Sequence, residues 1–297
     1  MKKTGPIQGA VVGQYFTLYE GVSKEEYQKV VTAAPFDKCN LLMLAFVRTF
    51  TFKRRPGEGG PIYIAQFANG RVDRDGHEVP LDPNDTDGDR IKLIVETARK
   101  KNPSINILIS LGWGTNDAGN AARTPVAFAD SARGLVQAYN LNGFDIDFES
   151  TRVKPEAMLI LAQEIRRSLN KIPSKRPMIM TITPARGGRK LKKNVLEQFT
   201  YIMPQTYRHG GDGTNFKDAT WYAKQLDSYE RIVYGLNSEG ALDDPEKETP
   251  DDPKISADEA KKNHAAGIFA WRLNGDSTKQ GFPTFADAVE MWDSMNR

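Results

Sequence analysis

Three acidic residues, Asp145, Asp147 and Glu149, stand two positions apart in the segment LNGFDIDFES. In a β-strand, successive side chains point to opposite faces, so these three carboxylates share one face and the apolar residues between them share the other. Neighbours along that face are ~7 Å apart, and like charges at this distance raise one another's pKa. If the strand lies in an inner layer, one carboxyl holds a proton near neutral pH while another stays ionised. This pairing provides a general acid beside a base or an electrostatic stabiliser.

Predicted strands and helices alternate along the whole chain around this segment. The first strand falls within 9–19, and Ser23 with Glu26 forms a capping box for a helix over 24–33. Residues 57–83 are rich in Gly, Pro, Asp and Asn and are predicted to form a long excursion that contains a hairpin. The other predicted strands cover 40–50, 105–110, 141–150, 178–183, 201–207, 231–236 and 267–273. The other predicted helices cover 88–101, 125–139, 155–169, 191–199, 216–226, 256–265 (with Ser256 as its N-cap) and 285–295.

Eight strand-then-helix units in 297 residues leave room for about 37 residues each, above the ~30 of a βαβ unit. We therefore predict an α/β fold in which 1–297 form a single (β/α)8 TIM barrel domain, with a doubly wound open sheet as the alternative. Chemistry in a barrel lies where the strands end. Such strand ends carry Glu149, Tyr207 and Trp271, and the first two strands end near Tyr15 and Phe46. Carboxylates, an amide and aromatic rings together are typical of a sugar-binding site.

Composition limits the other functions. An apolar content of 39% with 27% charged residues is that of a soluble globular protein. The net charge of +3 is spread out, and the basic run 53–55 is short, so no nucleic-acid partner is expected. No stretch reaches the ~18 apolar residues of a membrane span. Cys39 is the single cysteine and is expected to be a small buried side chain. No apolar leader region follows Met1, so we expect either an intracellular protein or a secreted one whose leader has been removed.

The residues 142–149, NGFDIDFE, resemble the D-G-x-D-x-D-x-E signature of glycoside hydrolase family 18, the chitinases and endo-β-N-acetylglucosaminidases. The order of Ala45-Phe46, SLGWG at 110–114, MPQTY at 203–207 and Trp271 resembles that family as well. The resemblance implies a barrel that cleaves β-1,4 bonds after N-acetylglucosamine with retention, most simply a chitinase acting on chitin or chito-oligosaccharides. It implies no metal and no cofactor, a monomer, and a partner that is an oligo- or polysaccharide containing N-acetylglucosamine.

The family mechanism is substrate-assisted, with the acetamido oxygen of the sugar as nucleophile. By resemblance, Glu149 protonates the leaving oxygen and then activates water, while Asp147 orients the acetamido N–H and Asp145 shares a proton with Asp147. Tyr207 donates its hydroxyl to the acetamido oxygen, and Trp271 forms the floor of the sugar pocket. The remaining expected substrate-binding residues are Gln205, Met203, Phe46, Tyr15, Gly112 and Trp113.

The sequence departs from the family pattern at three positions. Asn142 replaces the first aspartate, which predicts one charge fewer in the proton-relay group, although Asn before Gly143 also suits a turn. Trp113 replaces a second glycine and predicts a narrower pocket or a shifted loop. Arg208 stands where the family often has Asn or Asp and predicts the loss of one substrate hydrogen bond.

Other interpretations remain open for the site residues. Asp145 and Asp147 fit structural carboxylates paired with barrel arginines or lysines, and Tyr207 and Trp271 fit core packing. The cluster also suits Mg²⁺ or Mn²⁺ in ligand type, but no histidine lies nearby. Two alternatives to a chitinase stay open: an endo-β-N-acetylglucosaminidase of the N-glycan chitobiose core, and a non-catalytic chitin-binding lectin.

Two acidic segments and one histidine complete the candidates. Aligning Gly88 with the glycine of a calcium loop puts Pro83 at position one and Ile94 at position twelve, so the frame fails. Residues 82–89 are therefore predicted to be an exposed acidic loop before a helix. The acidic residues 243–253 follow the seventh strand and either rim the cleft or form a solvated loop. Among the histidines, His209 alone follows a site residue closely enough to line the cleft.

Overall fold

Eight parallel strands form the centre of the molecule in the computed structural model, which describes residues 6–52, 60–73, 76–112, 117–150, 152–174, 177–185, 191–207, 216–239, 251–276 and 282–297. The barrel strands are β1 (Val11–Thr17), β2 (Leu41–Phe52), β6 (Asn106–Leu111), β7 (Gly143–Phe148), β8 (Ile179–Pro184), β9 (Tyr201–Ile202), β10 (Val233–Asn237) and β11 (Gly267–Trp271). They pair in the order β10, β11, β1, β2, β6, β7, β8, β9, and a parallel bridge between Ile202 and Ile232 joins the two ends. The nearly closed ring confirms the barrel.

Helices surround this barrel and follow the predicted alternation. Ser23 and Glu26 form the predicted capping box at the N-terminus of the first helix. The predicted cap at Ser256 is wrong, because Asp252 caps Lys254 N–H and Pro253 begins the helix, which leaves Ser256 buried inside it. The helices are α1 (Lys24–Ala33), α2 (Asp87–Lys101), α3 (Asp117–Ala121), α4 (Pro125–Ala138), α5 (Pro155–Leu169), α6 (Lys193–Leu196), α7 (Lys217–Leu226), α8 (Pro253–Lys262) and α9 (Ala286–Asn296).

The excursion after β2 contains the predicted hairpin. The strand β2 runs past the barrel and pairs antiparallel with β3 (Ile62–Phe67), while β4 (Arg71–Val72) pairs with β5 (Glu78–Val79). The part of β2 that extends past the barrel, residues 47–52, is held in place by Asp117 at the start of α3. Asp117 accepts hydrogen bonds from Arg48 Nε at 2.6 Å and from Thr49 N at 2.8 Å. The extension therefore stands above one side of the barrel mouth.

The acidic segment at 82–89 is only partly the exposed loop that was predicted. Asp85 and Asp87 are buried, and each pairs with a buried arginine: Asp85 with Arg90 and Asp87 with Arg71. Arg90 also donates to the backbone carbonyls of the chain that follows β1. These carboxylates are buried because the arginines compensate their charge, and the sequence pattern of the loop does not reveal such distant partners.

The barrel strands contribute alternate side chains to two separate apolar clusters, one outside the barrel wall and one inside it. Side chains such as Phe144, Ile146 and Phe148 pack outward against the helices, whereas Met43, Leu108 and Phe269 fill the barrel interior. Cys39 is buried in the outer cluster, as predicted. Among the helices of the described residues, none has both the length and the apolar character needed to cross a membrane.

Candidate active site

The first carboxylate of the acidic strand lies at the bottom of the site in a cage of hydroxyl groups. Asp145 is fully buried. Its Oδ2 accepts from Tyr15 Oη at 2.7 Å and from Ser110 Oγ at 2.6 Å, and its Oδ1 accepts from Thr181 Oγ1 and, at 3.3 Å, from Thr183 Oγ1. Four neutral donors from β1, β6 and β8 thus replace the water that burial removes. Within the described chain, no arginine or lysine bonds to Asp145, in contrast to the structural-ion-pair interpretation.

The next two carboxylates are joined by one amide. Gln205 Nε2 donates to Asp147 Oδ1 at 2.8 Å and to Glu149 Oε1 at 3.2 Å. Asp147 is partly buried and Glu149 is exposed. An amide nitrogen carries two hydrogens, so Gln205 supplies one to each carboxylate and holds them side by side. Exposure therefore increases along the strand face from Asp145 to Glu149, towards the mouth of the barrel.

The environment shifts the pKa values of two of these carboxyls. The pKa of Asp147 is raised well above its usual range by desolvation, then by the charges of Glu149 and Asp145, and the hydrogen bond from Gln205 opposes the rise. Burial also raises the pKa of Asp145, while its hydroxyl donors oppose that rise. Both shifts have the direction expected for buried carboxyls with like charges nearby.

Tyr207 stands beside the carboxylates at the end of the segment that follows β9. It is partly buried, and its ring packs edge-on against Phe269 with centroids 6.1 Å apart. Burial raises its pKa well above the usual range, as do the charges of Asp147, Glu149 and Asp145. The phenol accordingly keeps its proton and can act as a hydrogen-bond donor. The hydrogen-bonded strand β9 ends at Ile202, short of the predicted 207, but Met203 and Gln205 still bond to β8 through their backbone N–H groups.

Three aromatic rings form a platform next to the carboxylates. Phe46 stacks on Trp271 with centroids 5.8 Å apart and planes 17° apart, and on Tyr19 at 6.4 Å and 11°. Trp271 is partly exposed. The ring of Tyr15 contacts the same indole, with ring centroids 5.3 Å apart, and the Tyr15 hydroxyl donates a hydrogen bond to Asp145. Tyr15 therefore connects the platform to the hydroxyl cage around Asp145. The peptide bonds Ala45–Phe46 and Trp271–Arg272 are both cis.

Gly112 lies where the platform meets the acidic strand. A Cβ at this position would stand 2.6 Å from Phe46 Cε1 and 2.9 Å from Asp147 Cβ. The glycine therefore lets the ring and the carboxylate approach one another. Met203, another predicted binding residue, is fully buried in the barrel interior, so it packs beneath the site and lies away from solvent.

Asn142 lies away from the carboxylate cluster, and the prediction that it removes a charge from the relay group is wrong. It precedes β7 at the opposite end of the strand, where its Oδ1 accepts from Ile107 N at 3.0 Å and from Arg99 Nη2 at 3.4 Å. The residue ties two strands together instead. Trp113, Arg208 and His209 lie outside the described residues, as does most of the acidic segment 243–253. Its described end includes Asp251, buried against Asn237.

Several site residues were absent from the sequence-based candidates. The cage hydroxyls of Thr181 and Thr183 alternate on β8 in the period of the barrel face, which was a usable signal. Glu239, which accepts from Trp271 Nε1 at 3.1 Å, had no local signal because its partner lies on a different strand. Among the described residues, no group of three or more His, Cys, Asp or Glu side chains is arranged to hold a metal ion.

Comparisons with known proteins identify the family and the fold. A family model described as glycosyl hydrolases family 18 matches residues 11–256. Chitinase 1 of Aphanocladium album is 28% identical over 142 residues, which cover 42% of this chain and 34% of that protein. A chitinase from Bacteroides thetaiotaomicron superposes with a TM-score of 0.67 and 20% identity over 97% of both chains. A chitinase-like agglutinin from Robinia pseudoacacia superposes with a TM-score of 0.65 and 14% identity, over 94% of this chain and 99% of that chain.

Proposed function

Because the chain belongs to glycosyl hydrolase family 18, we propose that it is a retaining, substrate-assisted hydrolase of β-1,4 bonds that follow N-acetylglucosamine, acting on chitin or chito-oligosaccharides. The observation that carries the proposal is the bridge from Gln205 to Asp147 and Glu149, at 2.8 and 3.2 Å. It holds a carboxyl of raised pKa beside an exposed one. A site for binding alone has no need of two carboxylates held together at the cost of their mutual repulsion.

The geometry supports a role for each group. Glu149 is exposed at the barrel mouth, where it can reach a glycosidic oxygen and give it a proton. The substrate's acetamido oxygen then attacks the anomeric carbon as the leaving group departs, and an oxazolinium forms. Asp147 accepts from the acetamido N–H, and Tyr207 donates its hydroxyl to the acetamido oxygen. Water activated by Glu149 opens the oxazolinium from the face that the leaving group left, so configuration is retained.

The aromatic platform supports the substrate class. Phe46 lies stacked between Tyr19 and Trp271, and the partly exposed indole of Trp271 is a surface that can stack against the apolar face of a pyranose ring. Asp147 lies beside this platform because Gly112 leaves space between the two. A sugar on Trp271 would therefore have its 2-acetamido group within reach of a carboxyl and a phenol, which favours N-acetylglucosamine over a sugar with a plain hydroxyl.

The test compares cleavage of a fluorogenic chitotriose and of a labelled high-mannose N-glycan by the wild type, Glu149→Gln and Glu230→Gln. Glu230 is an exposed glutamate before β10 and serves as the matched control. We expect chitotriose cleavage by the wild type and the control, and a loss of roughly 100- to 10,000-fold in Glu149→Gln, the usual contribution of a general acid. Cleavage of the N-glycan instead would assign the endo-β-N-acetylglucosaminidase branch. Equal chitotriose binding by all three proteins without cleavage would identify a lectin.

A further inference from the structure

We propose that Glu239 is a positioning residue that fixes the indole of Trp271 for sugar binding, an inference that rests on the proposed function. Glu239 follows β10, and both of its carboxylate oxygens are engaged. Oε2 accepts from Trp271 Nε1 at 3.1 Å, and Oε1 accepts from Arg272 Nη2 at 2.7 Å and Nε at 3.2 Å. One side chain thus joins the platform indole to the guanidinium of the next residue.

Arg272 anchors this carboxylate to the first strand of the barrel. Its Nη1 pairs with Glu20 and donates to Thr17 Oγ1 at 2.7 Å, and Thr17 Oγ1 lies 2.6 Å from Glu20 Oε1. The Arg272 side chain is only 12% exposed. A guanidinium with several fixed partners has little freedom to turn, so Glu239 in turn has a fixed place beside the indole.

The position of the indole matters because it determines the platform. Trp271 stacks on Phe46 with nearly parallel planes. The ring of Tyr15 also packs against the indole, and the Tyr15 hydroxyl donates a hydrogen bond to Asp145. A rotated indole would tilt the surface on which the sugar rests relative to the carboxylates. Glu239 itself need not touch the reacting atoms to affect binding; it acts through the indole N–H.

This role differs from that of an ordinary surface ion pair. Glu239, Arg272, Glu20 and Tyr19 line one cavity of about 270 Å³ that opens beside the platform. Replacing Glu239 leaves the guanidinium of Arg272 paired with Glu20, so no buried charge is left without a partner. The expected consequence is therefore a change in oligosaccharide affinity with a modest change in stability, whereas a scaffold residue would affect the two together.

The experiment is a double-mutant cycle between Glu239→Ala and Trp271→Phe, with chitotriose affinity measured by calorimetry in the Glu149→Gln background so that no substrate is consumed. We expect Glu239→Ala to weaken binding about ten-fold, because an indole without this acceptor would hold the binding orientation only about a tenth of the time, and to weaken it hardly at all once Trp271 is Phe. Glu239→Gln, whose carbonyl still accepts from the indole, should retain part of the affinity. Glu230→Gln is the matched control.

A second readout needs no sugar. The ¹H–¹⁵N signal of the Trp271 indole, assigned by its absence in Trp271→Phe, should shift in Glu239→Ala and stay in place in Glu230→Gln. An equal loss of affinity from Glu239→Ala in both Trp271 backgrounds, or an unmoved indole signal, would overturn the inference. Binding by the wild type without cleavage would refute the hydrolase alone. An absence of chitotriose binding would refute both proposals.

Discussion

Replacing Gly112 by alanine tests the close contact between the aromatic platform and the acidic strand. The added Cβ would lie 2.6 and 2.8 Å from two atoms of the Phe46 ring and 2.9 Å from Asp147 Cβ. Neither neighbour can move freely: the Phe46 ring is held between Tyr19 and Trp271, and Asp147 is held by its strand. We therefore expect overpacking to reduce the free energy of unfolding by about 1–3 kcal/mol.

The same displacement should also reduce the rate of the reaction. Phe46 must shift along the platform, or Asp147 must move away from its 2.8 Å bond with Gln205. A displacement of ~1 Å at a reacting centre costs on the order of 100-fold in rate. We expect the loss in kcat/KM for chitotriose to be of that order in Gly112→Ala, at a temperature where the variant is fully folded.

Gly134→Ala is the matched control for this substitution. Gly134 lies inside α4, and a Cβ there would meet nothing within 4 Å, so alanine should raise the free energy of unfolding by about 0.5–1 kcal/mol and leave catalysis unchanged. Urea unfolding and chitotriose kinetics of the two variants check both expectations. If Gly112→Ala were as stable and as active as Gly134→Ala, the expected clash of the added methyl group with Phe46 and Asp147 would be refuted.

Three further substitutions test the interactions beneath and around the site. Tyr15→Phe removes a donor to the buried Asp145 and should lower the free energy of unfolding by about 1–3 kcal/mol in urea denaturation; no change would mean that other hydroxyls compensate. Arg90→Met leaves Asp85 buried without its partner and should cost about 3–5 kcal/mol, partly recovered in Arg90→Met/Asp85→Leu. Asp147→Asn should become increasingly more stable than the wild type above about pH 4, because the raised pKa of Asp147 makes the folded wild type lose stability as the pH rises through it. If urea unfolding gave the same difference in stability between Asp147→Asn and the wild type at every pH, that reasoning would be contradicted.

The sequence was sufficient for the barrel and for the face on which the carboxylates lie, because both follow from periodicities that local residues express. Phe144, Ile146 and Phe148 face the helices, as their alternation with acidic residues requires. The order of strands and helices followed from the same kind of pattern. Boundaries were less predictable: the helix expected from 256 begins at Pro253 because Asp252, and not Ser256, supplies the cap.

What the sequence could not provide were partners brought together from distant parts of the chain. Asp85 was expected to be exposed and is buried against Arg90. Asn142 was assigned to the relay because it opens the signature, but three residues of strand rise separate it from Asp145 by ~10 Å. Glu239 is separated from Trp271 by more than thirty positions, and only the pairing of β10 with β11 places the two side by side.

The strand β7 explains how three residues of nearly the same chemistry acquire different environments. Each step of two residues raises the next carboxylate ~7 Å towards the barrel mouth, from the hydroxyl cage to the Gln205 bridge and then to solvent. A slip of one residue in register would turn every carboxylate towards the helices. Gly143 opposes such a slip, because a side chain there would overlap the carbonyl of Ile179, so only a glycine can stand opposite that residue in β8. The glycine of the signature thus fixes the height at which each acid stands in the barrel, and with it how deeply each acid is buried.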